Sequence, residues 1–508
     1  MFGRASLMCV TLSVLSGALA APPIIDGCQV LPLDHIFNTR IDDLPVHAQS
    51  SAFLQTINTG TRRLHLDLGT SEDMTSNEHY GIPYNIVSGN SLAWQTVHYD
   101  QGWPDESDCA DAIHGVVRPC INLAGPALLP IPPSPKVEGG ISGDSSVDGD
   151  HHILVVDSDA CILWESYHST TRAGGGWNIL SSAAFDLRSN GLRPATWTSS
   201  DAAGFPILPL LLRADEASSG EINHALRFTI QSSKIRSSYN WPATHFTSNG
   251  GSSSSKPPMG QLFRLNSGYA IPDNFTVQAK AILGALKRYG MYVADGGSDM
   301  FIQGEPSKNW DLTTISQVQT VPHTAFEAVD LAPVMTRAGF SATSAQVPPV
   351  AASVVEFYNS NLDHYFITAN PGEATAIDNG GAGPGWSRTG NSFKAGGSTS
   401  VCRFYGSLSP GPNSHFYTVD PAECTYLKQL QASTPATQKR WNFESLDFQT
   451  TAPISGSCPA GAMPVYRAYN NGFTRNVDSN HRITNSQTAI QQVVMRGWSN
   501  EGVVMCAP

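Results

Sequence analysis

Residues 197–228 read WTSSDAAGFPILPLLLRADEASSGEINHALRF and hold the densest group of reactive side chains in the chain. The sequence DAAG at residues 201–204 is typical of a tight turn. Two prolines then interrupt any helix, so residues 207–212 are predicted to form an extended, buried segment. Residues 213–216 are expected to leave this segment for a Ser-Gly turn, and residues 222–230 to form the next strand.

Polar clusters at the mouths of two strands usually build a cleft, so we predict a catalytic or binding site here. The candidate catalytic residues are Asp201, Glu216, Asp215, His224 and His245. The candidate substrate-binding residues are Arg213, Arg227, Trp177, Trp197, Trp241, Asp150, His151, Glu165 and Asp295. A structural ion-pair network, in which the two arginines neutralise Asp215 or Glu216, is the alternative.

Each candidate is chosen for its chemistry. Asp201 and Glu216 are the first choice for an acid pair, because glycoside hydrolysis needs one protonated and one ionised carboxyl. His245 precedes a Gly/Ser loop and is placed for proton transfer. Asp150 with His151 is typical of a general acid–base pair or of half a metal site, but no complete set of metal ligands is predicted. The tryptophans could stack on sugar rings, although core tryptophans show the same pattern.

The composition limits the class of protein. At 508 residues the chain is too long for one core, and its high Gly and Pro content with few charges favours a mainly β fold. The net charge of −12 argues against a nucleic-acid or anionic-membrane partner. Residues 1–20 resemble a secretory signal, and no later segment is apolar for the roughly 18 residues of a membrane span. We therefore expect a secreted monomer.

Eight cysteines remain once this signal is removed. An even number in an exported protein predicts up to four disulfides, and four cysteines lie in each half of the chain. Cys109 with Cys120 is the local pair that we predict. We predict no cofactor; the acidic residues 99–111 could hold Ca²⁺, but a solvated loop also explains them and their spacing is not that of an EF-hand.

The chain divides by composition into two parts. Residues 21–340 are predicted to form a β-sandwich-like catalytic domain with a hairpin at 150–169 and one clear helix at 274–289. Residues 341–353, SATSAQVPPVAAS, have the composition of a linker.

A repeated pattern follows the linker. Copies of the pattern FYN…HYFIT…W start at Phe357, Phe404 and Tyr466, and each ends near a tryptophan. Three copies of a roughly fifty-residue unit predict a pseudo-threefold β-rich repeat over residues 354–508. In the third copy, Arg482 and the isoleucine after it replace the aromatic pair that follows the histidine.

These motifs resemble a repeat module of unknown function that is appended to many secreted bacterial and fungal proteins, including hydrolases. The resemblance covers residues 353–508 and implies a lectin-like, carbohydrate-binding role. The first part of the chain, from about residue 80 to residue 330, resembles an uncharacterised family of exported bacterial proteins with the signature WTSxDAAG…RxDE…GxIxHAxRF…PPMG. This second resemblance implies no activity.

Two function classes remain. Export, the linker, the tryptophans and the carboxylates favour a polysaccharide-active enzyme, either a glycoside hydrolase or a lyase, with a C-terminal sugar-binding module. A lyase would use His224 or His245 as the base, beside one of the two arginines. The alternative is a non-enzymatic secreted lectin or adhesin. The sequence contains neither GxSxG nor HExxH, which argues against serine-esterase and zincin chemistry.

Overall fold

The structure is a computed structural model that describes residues 22–57, 62–76, 79–144, 146, 149–247, 249–348, 352–406, 408–409 and 411–508. The predicted signal at residues 1–20 lies outside the described residues. The chain divides into two compact units, Met1–Pro348 and Pro349–Pro508. The predicted fold class, mainly β, is confirmed.

Short strands build the first unit. They are β1 (Ile24–Ile25), β2 (Cys28–Gln29), β3 (His65–Asp67), β4 (Tyr84–Val87), β5 (Gln95–His98), β6 (Cys109–Ala110), β7 (Val116–Val117), β8 (Ala127–Leu129), β9 (Ile153–Asp157), β10 (Ile162–Tyr167), β11 (Thr170–Thr171), β12 (Trp177–Asn178), β13 (Ser181–Asp186), β14 (Leu226–Ile230), β15 (Arg236–Tyr239), β16 (Pro258–Met259), β17 (Leu262–Leu265), β18 (Met291–Gly296), β19 (Phe301–Gln303) and β20 (Phe326–Ala328). The helices are α1 (Ser50–Ile57), α2 (Ala214–Ser219), α3 (Val277–Arg288), α4 (Leu312–Val318) and α5 (Ala332–Met335).

Three larger sheets organise these strands. Their strand orders are β13-β10-β9-β4, β11-β12-β5-β8-β6-β7 and β20-β17-β18-β14-β19-β3. The third sheet carries β14 and β18 side by side and parallel, and both strands are mostly buried, although β14 carries Arg227 and β18 carries Asp295.

The predicted hairpin at residues 150–169 is present. Strands β9 and β10 pair antiparallel, with Ile162 opposite Asp157 beside the turn. Asp157 closes that turn, because its carboxylate accepts the backbone N–H groups of Asp159 and Gly89. The predicted extended segment 207–212 is buried as expected but includes a 3₁₀ turn at Leu208–Leu210.

The helix predicted at 274–289 is α3, which starts later than the sequence suggested. Thr276 caps it by accepting the backbone N–H of Ala279. The chain then turns at Gly290 with φ of 75°, a conformation that glycine adopts without strain.

The expectation of one clear helix was too low, and residues 213–216 do not lead straight into the expected Ser-Gly turn, which comes only at Gly220. Those residues begin the short helix α2, with Arg213 at the N-cap position. Two acids in its first turn, Asp215 and Glu216, interact favourably with the helix dipole. Acids at this position favour a helix, but we gave more weight to the Ser-Gly sequence that follows and predicted a turn.

Part of the predicted linker is packed on the first unit. Ser344 forms an isolated β-bridge with Gly191, and Gln346 forms one with His35. The units divide after Pro348, and residues 349–351 lie outside the described residues.

The eight cysteines of the described residues form four disulfides, two in each unit. The pairs are Cys28–Cys161, Cys109–Cys120, Cys402–Cys424 and Cys458–Cys506. The predicted pair Cys109–Cys120 is therefore confirmed. Among the described residues, no helix combines the length and the apolar character that crossing a membrane requires.

The second unit contains three three-stranded sheets with one shared strand order. The first sheet has β21 (Ser353–Asn359), β22 (His364–Thr368) and β23 (Trp386–Lys394), the second β24 (Thr399–Tyr405), β25 (His415–Thr418) and β26 (Asn442–Thr450), and the third β27 (Met463–Tyr469), β28 (His481–Thr484) and β29 (Ser499–Ala507). In each sheet the first strand is central. The helices are α6 (Pro371–Asp378), α7 (Pro421–Ser433), α8 (Gly472–Arg475) and α9 (Gln487–Val494).

One local device recurs in the three sheets. A threonine ends the second strand, and its hydroxyl accepts the backbone N–H of the residue two positions later, at 3.0 to 3.2 Å. That later residue, which is Asn370, Asp420 or Ser486, caps the next helix with its side chain. The pattern Thr-x-Asn/Asp/Ser thus explains why each strand passes directly into a helix.

Strand register shows how the third copy differs. Aligned on the threonines, Phe366 and Phe416 occupy the position that Arg482 takes in the third sheet. Arg482 is buried and pairs with Glu356 of the first sheet, with Nε and Oε1 at 2.9 Å. The guanidinium also lies over the ring of Tyr365, 4.4 Å from its centre. The arginine therefore replaces an apolar contact with a charged one.

The two disulfides of the first unit allow a test of how chain closure stabilises it. Cys28–Cys161 spans 133 residues and Cys109–Cys120 spans 11. Loop-closure entropy predicts a loss of about 5 kcal/mol for Cys28→Ala/Cys161→Ala and of about 3 kcal/mol for Cys109→Ala/Cys120→Ala. Urea unfolding of both double variants measures the two losses, and a larger loss for the short loop would contradict the expectation.

Candidate functional site

A buried ion pair between Asp201 and Arg227 lies at the centre of the first unit. Both side chains are almost completely buried, and Asp201 Oδ2 lies 2.6 Å from Nη2 and 3.1 Å from Nε of Arg227. The remaining guanidinium nitrogen, Nη1, donates to the side-chain oxygen of Gln303. Two charges tolerate such burial only when each is paired and hydrogen-bonded.

The tight turn predicted at residues 201–204 is present and positions Asp201. The Ala203 N–H donates to Asp201 Oδ1 at 2.9 Å, and to the carbonyl oxygen of Ala294 in β18 at 3.0 Å. Gly204 has φ of 77° and no room for a β-carbon beside Thr244. Aspartate side chains stabilise such turns by accepting a nearby backbone N–H. The turn therefore holds Asp201 against β18 and beside Arg227 of β14.

Asp295 lies on β18, next to this ion pair. Burial raises its pKa, the charge of Asp201 raises it further, and Arg227 opposes both, with a net result of about 7. Burial also raises the pKa of Asp201, against the effect of Arg227. Two neighbouring carboxyls that share one cation do not both ionise easily, so Asp295 can carry a proton near neutral pH.

His152 links a second acid to the same turn. Its Nδ1 lies 2.5 Å from Oε2 of Glu138, and its Nε2 donates to the carbonyl oxygen of Ser200, 2.8 Å away. Burial opposes the charged imidazole, but the carboxylate of Glu138 outweighs it and raises the pKa of His152 to about 9. Burial raises and His152 lowers the pKa of Glu138, and the net effect is a decrease.

A pocket of about 520 Å³ opens beside these groups. Its lining residues are Glu138, Gly139, Gly149, Asp150, His151, Tyr167 and His168. Burial and the charges of Asp150 and Asp295 raise the pKa of Tyr167 to about 12. The field of Asp295 therefore reaches the pocket wall. We call the following residues the acid cluster: Glu138, Asp150, His152, Tyr167, Asp201, Arg227 and Asp295.

Four predicted site residues form a different group around α2. Glu216 lies between Arg213, with Oε1 and Nη2 at 2.8 Å, and His224, with Oε2 and Nε2 at 3.1 Å. Asp215 is exposed, 3.8 Å from Nε of Arg213. Burial opposes ionisation of Glu216, but His224 and Arg213 outweigh it and lower its pKa. No hydrogen bond or ion pair joins this group to Asp201 within the described part of the chain.

Glu165 and His245 anchor the turn region from either side. The carboxylate of Glu165 is fully buried and accepts the N–H groups of Ile207 and Leu208 at 2.9 to 3.0 Å. Burial raises its pKa to about 7, against the effect of those two bonds. His245 Nδ1 lies 2.9 Å from the carbonyl oxygen of Ala202, directly after Asp201. Glu165 therefore has a structural position, and His245 borders the Asp201 turn.

The three tryptophans do not offer open ring faces to the acid cluster. Trp177 and Trp241 are core side chains, 6% and 7% exposed. Trp241 donates its indole N–H to the carbonyl oxygen of Ser344 at 3.0 Å. Trp197 is half-buried, with the guanidinium of Arg193 5.7 Å from its ring centre.

Sequence reasoning missed Glu138, His152 and Gln303 as site residues. It placed Asp150 and His151 at the strand start but stopped one residue short of His152. The only local signal for Glu138 is its position before Gly139-Gly140, a loop sequence without periodicity. The fold joins these residues because the Glu138 N–H donates to the carbonyl oxygen of His152.

A match to a known protein family exists for the second unit. A family model for a domain of unknown function (DUF5648) matches residues 353–508, which is the region that the repeat motifs delimit. No curated protein and no solved structure matches the chain.

The raised pKa of Asp295 has a measurable effect on stability. Its folded-state pKa of about 7 lies above the roughly 3.9 of an exposed aspartate, so its contribution is fully present below about pH 4 and is lost as pH rises through about 7. Asp295→Asn removes this loss. We expect the unfolding free energy of the variant, relative to that of the wild type, to rise between pH 5 and pH 8 in urea unfolding. A constant difference across that range would contradict the assignment.

Proposed function

We propose that the first unit is the catalytic part of a secreted, polysaccharide-active enzyme, and that its reaction is glycoside hydrolysis at the acid cluster. The observation that carries the proposal is the pair of neighbouring carboxyls, Asp201 and Asp295, beside a pocket lined by further carboxylates. Four disulfides support export, because disulfides persist in oxidising compartments.

Hydrolysis of a glycosidic bond needs a proton donor and an ionised carboxylate at the same time. Environments that push two pKa values apart assign those roles. Asp295 is the proton donor, since its pKa of about 7 leaves it partly protonated at neutral pH. Glu138 and Asp150, which line the pocket, orient a water molecule on the base side of the reaction. Asp201 acts through Asp295 and is a positioning residue, because it is fully buried against Arg227.

Lyase chemistry has weaker support. A lyase acting on a uronic acid needs a cation that is free to neutralise the substrate carboxylate. The guanidinium nitrogens of Arg227 donate to Asp201 and Gln303, and Arg213 is paired with Glu216. The arginines therefore support hydrolysis over elimination.

We propose a glycan-binding, lectin-like role for the second unit. Each sheet places a tyrosine of its first strand opposite an aromatic ring of its second strand: Tyr358 with Tyr365, Tyr405 with His415, and Tyr469 with His481. The ring centres lie 4.7 to 4.8 Å apart, and the three first-strand tyrosines are half-buried. Rings that pair an apolar face with a polar tip suit sugar binding.

The alternative function, a secreted lectin or adhesin without activity, has one specific observation in its favour. The buried acids already have partners in the protein: Asp201 has Arg227, Glu138 has His152, and Glu165 has backbone N–H groups. Paired charges of this kind also occur in purely structural networks.

An activity panel separates the two functions. The purified protein, which we expect to be a monomer by light scattering, is incubated with neutral and acidic polysaccharides, and new reducing ends and unsaturated products are measured. We expect reducing ends without unsaturated products, and kcat/KM that falls as pH rises through about 7, as Asp295 loses its proton. Asp295→Asn should lower kcat by roughly a hundredfold or more.

The matched control is Glu221→Gln, an exposed acid that precedes β14 and should leave activity unchanged. Circular dichroism confirms that each variant is folded. Unsaturated products would instead identify a lyase. Glycan-array binding without any turnover would favour the lectin, and unchanged activity in folded Asp295→Asn would remove the acid assignment.

A further inference from the structure

The pocket wall of the first unit brings together ligand atoms of three side chains that the acid–base proposal does not explain as a set. One ligand atom from each of Glu138, Asp150 and His152 lies within 4.8 Å of the other two. Two ligands bound to one ion at ~2.1 Å can be at most ~4.2 Å apart, so a closure of under ~1 Å would seat all three on one ion. Asp150 is exposed and can make this movement.

A second, independent observation comes from the neighbouring histidine. His151 is only 4% exposed, yet its Nε2 has no hydrogen-bond partner among the described residues. Its ring lies between Gly139 and Gly149, with Nε2 3.4 Å from where a Gly149 β-carbon would stand, and it lines the same pocket as the two acids. A buried nitrogen without a partner loses its hydration and gains nothing, unless a ligand occupies the pocket.

Both histidines are held in the manner of metal ligands. A ligating histidine commonly donates its other ring N–H to a backbone carbonyl, which fixes the tautomer and the ring orientation. His151 Nδ1 lies 3.2 Å from the carbonyl oxygen of Gly140, and His152 Nε2 lies 2.8 Å from that of Ser200. The opposite nitrogens are Nε2 of His151, which has no partner, and Nδ1 of His152, which faces Glu138.

We propose that Glu138, Asp150 and His152 bind one divalent transition-metal ion of the Zn²⁺ class, and that His151, which lies outside their 4.8 Å group, turns toward the ion as a fourth donor. Two imidazoles with two carboxylates suit such an ion better than Ca²⁺ or Mg²⁺, which prefer sites made of oxygen ligands. Binding separates Glu138 Oε2 from His152 Nδ1, from 2.5 Å to roughly 3.4 Å, the spacing of two ligands in a tetrahedral site. The metal proposal stands whether or not the first unit hydrolyses polysaccharides.

The test is metal binding rather than activity. The full chain, purified without an affinity tag and treated with a chelator, is titrated with ZnCl₂ by calorimetry, and metal content after dialysis is measured by mass spectrometry. We expect one Zn²⁺ per chain. Asp150→Asn should weaken binding by roughly tenfold or more, and His151→Gln should weaken it as well. Asp144→Asn is the matched control, because Asp144 is exposed in the same loop and bonds only to residues of that loop.

Asp150 is the decisive position, because its exposed side chain can be changed without disturbing the core. Melting of the metal-free variants verifies that they fold like the wild type. No Zn²⁺ binding by the wild type, or equal binding by folded Asp150→Asn, would overturn the proposal. Equal affinity for CaCl₂ would overturn the transition-metal assignment, and unchanged binding by His151→Gln would remove the fourth donor.

Discussion

The ion pair between Asp201 and Arg227 is the interaction on which the first unit depends. It joins the turn at residues 201–204 to β14, and the backbone bond from Ala203 joins the same turn to β18. Removing one partner would leave the other charged and buried, which typically costs about 3–5 kcal/mol. A hydrophobic pair could replace both without such a loss. The charged pair also provides an electric field that a packed apolar core would not.

That field sets the chemistry of its surroundings. Arg227 is the only cation in direct contact with Asp201 among the described residues. The nearby carboxyl of Asp295 is therefore less well neutralised, and its pKa rises. His152 is the cationic partner of Glu138, as Arg227 is of Asp201. One short turn thus connects Asp295, whose pKa is raised by burial, and Glu138, whose pKa is lowered by His152, with a pocket open to solvent.

The sequence was informative where a single local rule decides the structure. The hairpin of β9 and β10, the helix α3 and the disulfide Cys109–Cys120 all follow from turn residues, periodicity or short spacing. The mainly β class follows from composition. The DAAG turn was also correct, because an aspartate that accepts its own backbone N–H is a local device.

The candidate site was harder to predict, because long-range pairing selects its members. Asp201 and Glu216 are close in sequence, yet each joins its own arginine. Glu138 and His152 lie on a loop and at a strand start, and only the backbone bond between them shows that they meet. Burial was also hard to predict from residue type. Trp177 and Glu165 were chosen for chemistry that requires an exposed side chain, but both lie inside the protein.

The buried contact between Arg482 and Glu356 makes the three similar sheets of the second unit distinguishable from one another. Arg482 lies in the third sheet and Glu356 in the first, so this ion pair joins these two sheets directly. A fourth copy inserted in the middle, or a shuffled order of copies, would separate this arginine from its acid. The three similar sheets are therefore not interchangeable, because the third carries an arginine where the first two carry phenylalanines.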